Sequence, residues 1–337
     1  MDTPRPSLLD DTTHTPELKR VGVSDTTRAA GAHVRLSVVV LSWNTRELLR
    51  ACLRALDADS NGERRELIVV DNASGDGSAD MVALEFPHVR LLRNTENRLY
   101  AEGNNQGAHV ATGEYLCLLN SDTEVRSGAL ECLARFLDEH PAYGAVAPRL
   151  VNADGSVQRA CRRFPTLADA LFDSTSLGRI PPATWFQRWT HMDHCNHIES
   201  RDVPQPPGAC FVIRRAEYEA LGGLDQNLRL YFNDVDLCRA LWARGRRIRY
   251  LAHVAVLHHG GASTRAFHWK ERNTHYVRDR ARYYKKHYGR IGDWWLRAVT
   301  TLWSLECRMR IRLGPRDARA KRMALAELST FLQKCDA

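Results

Sequence analysis

The sequence predicts an α/β protein with a mostly parallel central sheet flanked by helices. Strand-length apolar runs alternate with stretches of helical spacing through the first half of the 337-residue chain, as in βαβ crossovers. Two of these runs end at a carboxylate, Asp71 and Asp122. Carboxyl ends of parallel strands meet at the sheet edge where such proteins bind ligands. A single Asp there could merely cap the next helix, but two of them, with Asn44 after the first strand, favour a binding site.

The predicted elements of the first half follow in regular order. "RLSVVVLS" is the first strand, and Asn44 with Glu47 three residues later is typical of a helix start. "NASGDGS" is a turn after the second strand, and a helix that follows the fourth strand stops at Pro141. The second, third and fourth predicted strands are "ELIVV", "VRLLR" and "YLCLL".

The second half is less regular. "VNADGSVQRACRRF" predicts a hairpin that turns at Asp154-Gly155, and "GACFVIRR" predicts a strand. No helices or strands are assigned to the segment Thr166 to Pro207, which is rich in Pro, Trp and His. A polar loop is favoured over a metal cluster for its "HMDHCNH" stretch, because the spacing fits no zinc module. The metal ligands would otherwise be His191, His194, Cys195 and His197.

Composition and charge limit the class of protein. Hydrophobic residues make up 44% and charged residues 26% of the chain, which indicates an ordinary core. Residues 1–33 lack apolar periodicity and a secretion signal, and are predicted to be a disordered tail. Nine cysteines without paired spacing indicate a reducing, cytoplasmic location. The net charge of +8 is concentrated after Arg265, but no nucleic-acid-binding module accompanies it, so no nucleic-acid partner is predicted.

Residues 266–337 are predicted to form a basic, helical C-terminal extension. Its stretch "DWWLRAVTTLWSLECRMRIRL" interleaves Trp and Leu with Arg. It is too charged to span a bilayer. It could lie in the membrane interface as an amphipathic helix or pack on the main domain, and both interpretations stay open at this point.

Two further stretches carry candidate chemistry. "LYFNDVDLCRALWARG" places Asp234 and Asp236 at the start of an amphipathic helix. One carboxylate suffices to complement a helix N-terminus, so the other is expected to face a pocket, as a general base must. "VAVLHHGGAST" is a strand that ends in His258 and His259. One of these could complete an oxygen-rich metal site around Asp122, while the other is expected to be structural.

The sequence lacks the motifs expected of two other enzyme classes that have similar α/β sheets. A nucleotidyltransferase is expected to carry a glycine-rich, basic phosphate loop after the first strand, where this chain has "LSWNTRELL". A dinucleotide-dependent oxidoreductase needs G-x-G-x-x-G after a strand, which the sequence does not contain.

Seven stretches taken in order resemble the nucleotide-sugar-dependent glycosyltransferases of family 2. They are "VVVLSWN", "LIVVDNASGDGS", "NRLYAEGNNQG", "LCLLNSDTEV", "GACFVIRR", "YFNDVDLCRALWARG" and "VLHHGGAS". The most similar branch contains the bacterial rhamnosyltransferases. The resemblance implies a GT-A fold over residues 34–265, with a nucleotide-sugar-binding half at 34–150 and an acceptor and catalytic half at 151–265.

The resemblance also implies roles for individual residues. Asp122 and His258 would hold Mg²⁺ or Mn²⁺ against the donor diphosphate, and Asp234 would deprotonate the acceptor hydroxyl. Trp43 would offer its ring face to the nucleotide base. The implied nucleotide-sugar-binding residues are Ser42, Trp43, Asn44, Asp71, Asn105, Asn120, Ser121 and Asp122.

The implied reaction is an inverting displacement at the anomeric carbon with a nucleoside diphosphate leaving. The donor would be a dTDP- or UDP-sugar, with rhamnose as the first candidate. The acceptor would be a growing bacterial glycan or a polyprenyl-diphosphate-linked saccharide at the inner face of the cell membrane. The alternatives are a UDP-hexose transferase on the same fold and, in another class, a catalytically degenerate nucleotide-binding or scaffold protein.

Four positions depart from the family pattern. Asn120 stands where the metal motif usually begins with an acid, and Leu99 and Glu102 stand where glycine is usual. Asn233 replaces a common Glu, which should leave the pKa of Asp234 less raised. These departures support the degenerate alternative, whereas retention of the acidic residues and of His258 argues against it.

Overall fold

The computed structural model describes residues 35–59, 65–193, 195–261 and 268–313. The predicted tail of residues 1–33, the end of the predicted extension and His194 lie outside the described residues.

The described residues form one nine-stranded sheet. Its strands are β1 (Leu36–Ser42), β2 (Arg65–Asp71), β3 (Arg90–Arg93), β4 (Tyr115–Asn120), β5 (Thr123–Val125), β6 (Tyr143–Val151), β7 (Arg201–Asp202), β8 (Cys210–Arg214) and β9 (Arg247–His258). The strand order is β3-β2-β1-β4-β8-β6-β9-β5, and β7 pairs with β9. Six of the nine strands, β1 to β4, β6 and β9, run in one direction. The prediction of a mostly parallel sheet is confirmed.

Helices cover both faces of this sheet. They are α1 (Arg46–Ala58), α2 (Ser78–Glu85), α3 (Leu99–Val110), α4 (Ala129–Glu139), α5 (Leu167–Ser174), α6 (Ala183–Thr190), α7 (Arg215–Ala220), α8 (Asn233–Ala243) and α9 (Trp269–Leu313). A short 3₁₀ turn, Ser176–Arg179, joins α5 to α6. The long helix α9 is interrupted at Gly289, whose φ is 60°.

Alternate side chains of the strands enter two separate cores. Val38 and Val40 pack on the side of α1 and α4, whereas Val39 packs on the side of α3 and α8. This division follows from the two-residue period of a strand. The all-apolar runs of the first half are therefore strands buried on both faces, as parallel strands usually are.

A third, smaller core attaches the C-terminal helix to the domain. Tyr283 and Tyr284 of α9 are fully buried against residues of α5 and α8. Trp295 donates a hydrogen bond to the Leu167 carbonyl at 2.7 Å. Packing on the main domain is thus observed for α9 on both sides of Gly289. Within the described part of the chain, no helix is both long enough and apolar enough to cross a bilayer.

The second half contains elements that the sequence pattern did not reveal. Strand β6 was not predicted. The segment Thr166 to Pro207, to which no elements were assigned from sequence, contains α5, α6 and β7. The turn at Asp154-Gly155 is confirmed: Gly155 has a φ of 81°, and Val151 bridges to Val157. In the "HMDHCNH" stretch, residues 195–197 lie in neither a helix nor a strand, as the loop prediction expects, and Cys195 and His197 are buried there.

Candidate active site

The carboxyl ends of β1, β2 and β4 bring the predicted site residues to one sheet edge. Ser42 lies in register with Asp71, and Leu41 lies in register with Asn120. Three residues that are far apart in sequence are therefore neighbours because each ends a strand in the same sheet. The expectation that Asp71 and Asp122 approach the same edge is met, since Asp122 follows Asn120 by two residues.

Buried hydroxyl groups join the strand ends. Ser42 Oγ lies 3.0 Å from Thr45 Oγ1, which lies 2.8 Å from Ser121 Oγ. All three side chains are buried. Ser42 and Ser121 were predicted from sequence as site residues, whereas Thr45, which links the loop after β1 to the loop after β4, was not. This network fixes the backbone on which Asp122 is carried.

Asp71 ends β2 with its two carboxylate oxygens in different surroundings. The residue is 3% exposed, and its Oδ2 accepts a hydrogen bond from the Ser74 amide at 3.0 Å. Its Oδ1 is buried without a hydrogen-bond partner in the described structure. A buried unpaired carboxylate oxygen is costly, and a ribose hydroxyl or base N–H would satisfy it. Beside it, the exposed Asn44 side chain accepts from the Gly75 amide at 2.8 Å, and Trp43 is half-buried.

Asn105 makes a different set of contacts. Its side-chain oxygen accepts from the Leu224 amide at 2.9 Å and from the Tyr218 hydroxyl at 2.5 Å. Its amide nitrogen donates to the Leu224 carbonyl at 2.8 Å. These bonds fix the loop around residue 224. A role for Asn105 in nucleotide binding therefore stays a prediction.

Asp122 and His258 meet where β5 pairs with the end of β9. Thr123 lies in register with His258, and the His259 amide donates to the Asp122 carbonyl at 2.9 Å. This pairing brings His258 Nε2 to 3.4 Å from Asp122 Oδ1. The neighbouring His259 turns away and pairs with Glu124 at 2.8 Å. Only one histidine of the pair faces Asp122.

The Asp122–His258 pair fits a divalent cation. His258 Nε2 is buried without a hydrogen-bond partner in the described structure, although it faces a carboxylate. A cation bound by the carboxylate oxygen and the imidazole nitrogen would give His258 Nε2 the partner that it lacks. No group of three or more His, Cys, Asp or Glu side chains within the described ranges could hold a metal by itself. The remaining ligands would have to come from a bound diphosphate and water, as in many Mg²⁺ sites.

Asp234 lies at the start of α8, close to the end of β4. A side chain on Gly208 would place its Cβ 3.0 Å from Asp234 Oδ2, so the absence of a side chain there leaves room for the carboxylate. The next residue, Ala209, accepts a hydrogen bond from the Asn120 amide at 2.9 Å. Tyr100 bridges the same region, because its hydroxyl lies 3.4 Å from the Gly208 carbonyl.

The electrostatics of Asp234 suit a proton acceptor. Its Oδ1 accepts from the Val235 amide at 2.8 Å, and its Oδ2 accepts from Gln205 Nε2 at 3.3 Å. Burial raises the pKa of Asp234, although these hydrogen bonds oppose the rise. A desolvated carboxylate with a raised pKa is a stronger base than a fully solvated one.

Asp236 has a structural role instead. It lies 2.8 Å from Lys286 and 2.7 Å from His287 of α9. The two carboxylates at the start of α8 thus point in different directions, as expected: Asp234 toward Gly208 and Asp236 toward α9. Asn233, which is buried, donates to the Leu228 carbonyl at 3.2 Å and closes the loop before the helix.

That loop, residues 228–233, is held from two sides, and we call it the base loop. The Arg229 carbonyl accepts the amides of Tyr100 and Ala101, each at 3.0 Å. On the other side, Asp279 Oδ2 of α9 accepts the amides of Leu230 at 2.9 Å and Tyr231 at 3.0 Å. Asp279 is completely buried. The position of Asp234 therefore depends on both α3 and α9.

The part of the chain that carries the strand ends matches a known family. The sequence model of "Glycosyl transferase family 2" matches residues 37–222, more than half of the chain. The chain belongs to glycosyl transferase family 2. The match includes β1, β2, β4 and Asp122 but ends before the base loop and α9.

Two proteins of similar sequence are named as rhamnosyltransferases. The N-acetylglucosaminyl-diphospho-decaprenol L-rhamnosyltransferase of Mycobacterium tuberculosis is 27% identical over 211 residues, covering 59% of this chain and 67% of that protein. Rhamnosyltransferase WbbL of Escherichia coli is 23% identical over 246 residues, covering 68% of this chain and 85% of that protein. The chain is a glycosyltransferase that resembles the rhamnosyltransferase branch of the family.

Solved structures support the GT-A fold expected for family 2. The mannosyltransferase PcManGT from Pyrobaculum calidifontis, in complex with GDP-Man and Mn²⁺, matches with a TM-score of 0.51 at 18% identity, covering 90% of this chain and 87% of that chain. GalNAc-T7 with UDP, GalNAc and Mn²⁺ matches with a TM-score of 0.54 at 15% identity, covering 90% of this chain and 55% of that one.

Leu99, which stands where family 2 usually has glycine, adopts a backbone conformation that favours glycine. Leu99 has a φ of 62° and is buried at the start of α3. This left-handed backbone is where glycine is favoured, so the leucine adds backbone strain while filling the core. Glu102, three residues later, pairs with Arg98.

Proposed function

We propose that this glycosyltransferase moves a sugar, with rhamnose as the first candidate, from a dTDP- or UDP-linked donor to a polyprenyl-diphosphate-linked saccharide. The reaction would be metal-dependent and would invert the anomeric carbon. One observation carries the proposal. The Asp122–His258 pair and the carboxylate of Asp234, which would be the metal site and the base, both lie near the carboxyl end of β4.

The nucleotide would lie along the ends of β1 and β2. The unpaired Oδ1 of Asp71 would accept a hydrogen bond from the ribose or the base, and Trp43 would contact the base. Asn44, Asn105, Asn120 and Ser121 complete the proposed half-site. Asp122 and His258 would hold Mg²⁺ or Mn²⁺, which would neutralise the charge that develops on the leaving diphosphate.

Asp234 would act as the general base. Its burial raises its pKa, which matches it to an acceptor hydroxyl better than a solvated carboxylate would be. Gln205 already donates a hydrogen bond to it, and an acceptor hydroxyl would add a second donor. Asn233 contributes no charge beside Asp234, so burial would be the main cause of its raised pKa, with the hydrogen bonds from Val235 and Gln205 opposing it.

The proposed donor and acceptor follow the relatives. The mycobacterial relative is named for rhamnosyl transfer to N-acetylglucosaminyl-diphospho-decaprenol, and WbbL is also named a rhamnosyltransferase. A UDP-hexose donor is the alternative on the same fold. A degenerate, non-catalytic protein is the alternative of another class, and buried Asp71 and Asp122 argue against it because unused buried carboxylates are costly.

Thermal stabilisation tests the nucleotide and metal sites. Wild type is heated with dTDP, UDP or GDP, each with and without Mn²⁺. A ligand at 100 times its Kd should add about 2.7 kcal/mol to the free energy of unfolding. We expect stabilisation by dTDP or UDP that requires Mn²⁺ and is lost in Asp122→Ala. The matched control is Glu124→Gln, two residues away, which should keep the full response.

Transfer from dTDP-rhamnose and from UDP-hexoses to a polyprenyl-diphosphate-linked acceptor then separates the two enzyme alternatives. Product from only one donor identifies the sugar. If none of the nucleotides stabilised the protein, the transferase proposal would be contradicted and the degenerate alternative favoured.

A lipid-linked acceptor requires the protein to reach a membrane, and two adjacent segments suit that contact. Twelve large apolar side chains are exposed in the described residues, and nine of them lie in residues 177–189 and 291–309. They are Leu177, Ile180, Trp185, Trp189, Ile291, Trp294, Leu302, Leu305 and Met309. We call these nine the apolar surface. Ser176 bonds to Glu306 of α9, which joins the two segments.

The charge around the apolar surface favours an anionic bilayer. Exposed arginines lie within or beside the two segments, namely Arg179, Arg188, Arg290, Arg297 and Arg308. The first segment contains no acidic residue, and the two acids of the second, Asp293 and Glu306, are bonded to Arg297 and Ser176. Tryptophan and arginine are typical of helices that lie in the membrane interface.

Sedimentation with vesicles tests the membrane contact. We expect the wild type to pellet with vesicles containing an anionic phospholipid and to stay in solution with purely zwitterionic ones. Trp294→Ser with Trp185→Ser should weaken pelleting, whereas Leu84→Ser, which changes an exposed apolar residue on α2, should not. Equal pelleting by all variants, or none by wild type, would contradict a bilayer as the partner of the apolar surface.

A further inference from the structure

Gln158 contacts the ring of His258. It follows the turn at Asp154-Gly155, and its backbone amide donates to the Leu150 carbonyl of β6. Gln158 Oε1 lies 2.8 Å from His258 Nδ1. Its Nε2 lies 2.7 Å from the His258 backbone carbonyl and 2.6 Å from Asn152 Oδ1. One glutamine thus contacts both the backbone and the side chain of the residue proposed as a metal ligand.

The hydrogen bonds of Gln158 fix which way its amide points. A backbone carbonyl only accepts hydrogen bonds, so the Gln158 atom that meets the His258 carbonyl must be the NH₂ group. The amide oxygen must then be the atom that faces the imidazole, and it can only accept. His258 therefore carries a proton on Nδ1, which leaves the lone pair of a neutral ring on Nε2.

This tautomer has a consequence for the pair with Asp122. Nε2 lies 3.4 Å from Asp122 Oδ1 and has no hydrogen-bond partner in the described structure. If the proton were on Nε2 instead, it could be donated to Asp122, and the two proposed metal ligands would satisfy each other. A ring whose Nε2 lone pair faces the carboxylate leaves Nε2 available to a cation.

We propose that Gln158 is a positioning residue that holds His258 in the Nδ1-protonated tautomer and so prevents Asp122 and His258 from pairing with each other. The cation class is an Mg²⁺- or Mn²⁺-like divalent ion, so this inference rests on the metal site of the proposed function. Hydrogen bonds to the second nitrogen of a ligating histidine generally fix its tautomer and orientation, and their loss costs roughly 10- to 100-fold in metal affinity.

The first experiment needs no metal. Long-range ¹H–¹⁵N correlation spectra of protein labelled at histidine reveal which ring nitrogen carries the proton, and the His258 signals are assigned by their loss in His258→Gln. We expect Nδ1 protonation in wild type and in Gln158→Glu, which keeps an oxygen acceptor. We expect Nε2 protonation in Gln158→Leu, which has no acceptor.

The second experiment measures binding of Mn²⁺ alone by water proton relaxation. Gln158→Leu should weaken binding by roughly 10- to 100-fold, and Gln158→Glu should bind more tightly than Gln158→Leu. The matched control is His259→Gln, which should change the affinity by no more than about twofold. Thermal melting without metal identifies any variant that fails to fold, and Gln158→Glu remains informative if Gln158→Leu does not fold.

The outcomes separate this inference from the proposed function. An Nε2-protonated His258 in wild type, or an unchanged tautomer in Gln158→Leu, would overturn the role of Gln158 whatever the metal does. Failure of wild type to bind Mn²⁺, with the tautomers as expected, would instead overturn the metal site on which the inference rests. Loss of Mn²⁺ affinity together with the tautomer change supports both.

Discussion

The two proposed catalytic carboxylates are carried by very different parts of the molecule. Asp122 lies in a two-residue link between β4 and β5, and both strands belong to the central sheet. Asp234 follows the base loop, whose last residue before α8, Phe232, has a left-handed φ of 62°. Strand register fixes the first carboxylate, whereas contacts from distant helices fix the second.

This difference separates the two halves of the site. Asp71 and Asp122 depend on backbone pairing between β1, β2, β4, β5 and β9, which a point mutation of a side chain disturbs little. The base loop depends on single contacts, of which the buried carboxylate of Asp279 provides two. We therefore expect mutations around the base loop to reduce turnover while leaving donor binding intact.

The largest effect is expected for the base itself. Asp234→Asn keeps the shape of the side chain but cannot accept the acceptor proton, so kcat should fall by roughly 10²- to 10⁴-fold. Nucleotide binding, measured as Mn²⁺-dependent thermal stabilisation, should be unchanged. A variant that keeps wild-type kcat would show that another group takes the proton.

The pH dependence of the same residue gives an independent check. Because burial raises the pKa of Asp234 above its ordinary 3.8, the folded protein holds this proton more tightly than the unfolded chain does. The destabilisation by the ionised carboxylate is absent below the unfolded pKa and complete above the folded pKa. Asp234→Asn should therefore raise the melting temperature relative to wild type near neutral pH, and this gain should vanish at low pH. The acid limb of the wild-type pH–rate profile should lie above the ordinary Asp range.

The strand-borne half of the site was largely predictable from sequence. A run such as "YLCLLNSD" combines an apolar strand with the polar residues that end it, so its structure and its site residues are read from one local pattern. The register that unites Asp71 with Ser42 follows from the topology of parallel sheets. Thr45 was missed because a buried threonine in a loop has no pattern of its own.

The second half was less predictable for physical reasons. Strand β6 contains Pro148, and its apolar alternation is weak, so tertiary pairing with β9 determines the strand. The start of α5 was visible in principle, because Thr166 and Asp169 form a reciprocal capping box. Gln158 gave no signal at all, since its partner His258 is 100 residues away in sequence.

The smaller effect in this comparison is expected for Asp279, which tests whether α9 positions the base. Asp279→Ala leaves the amides of Leu230 and Tyr231 without their acceptor, and each buried unpaired amide costs about 1–3 kcal/mol. The base loop should relax by opening locally, and a displacement of about 1 Å at a reacting group can cost roughly 100-fold in rate. We expect kcat to fall by up to that factor while the Kd for nucleotide with Mn²⁺ stays unchanged.

The matched control lies on the same helix. Asp293→Ala removes an exposed carboxylate that pairs with Arg297, and it should leave kcat unchanged because exposed ion pairs contribute little. If Asp279→Ala weakened nucleotide binding as much as turnover, the two halves of the site would be coupled through α3, whose first amides also hold Arg229. If it changed neither, the base loop would be held by α3 alone, and α9 would serve only the third core. A selective loss of kcat would instead assign to α9, which lies outside the region shared by the family model, a direct part in placing the catalytic base.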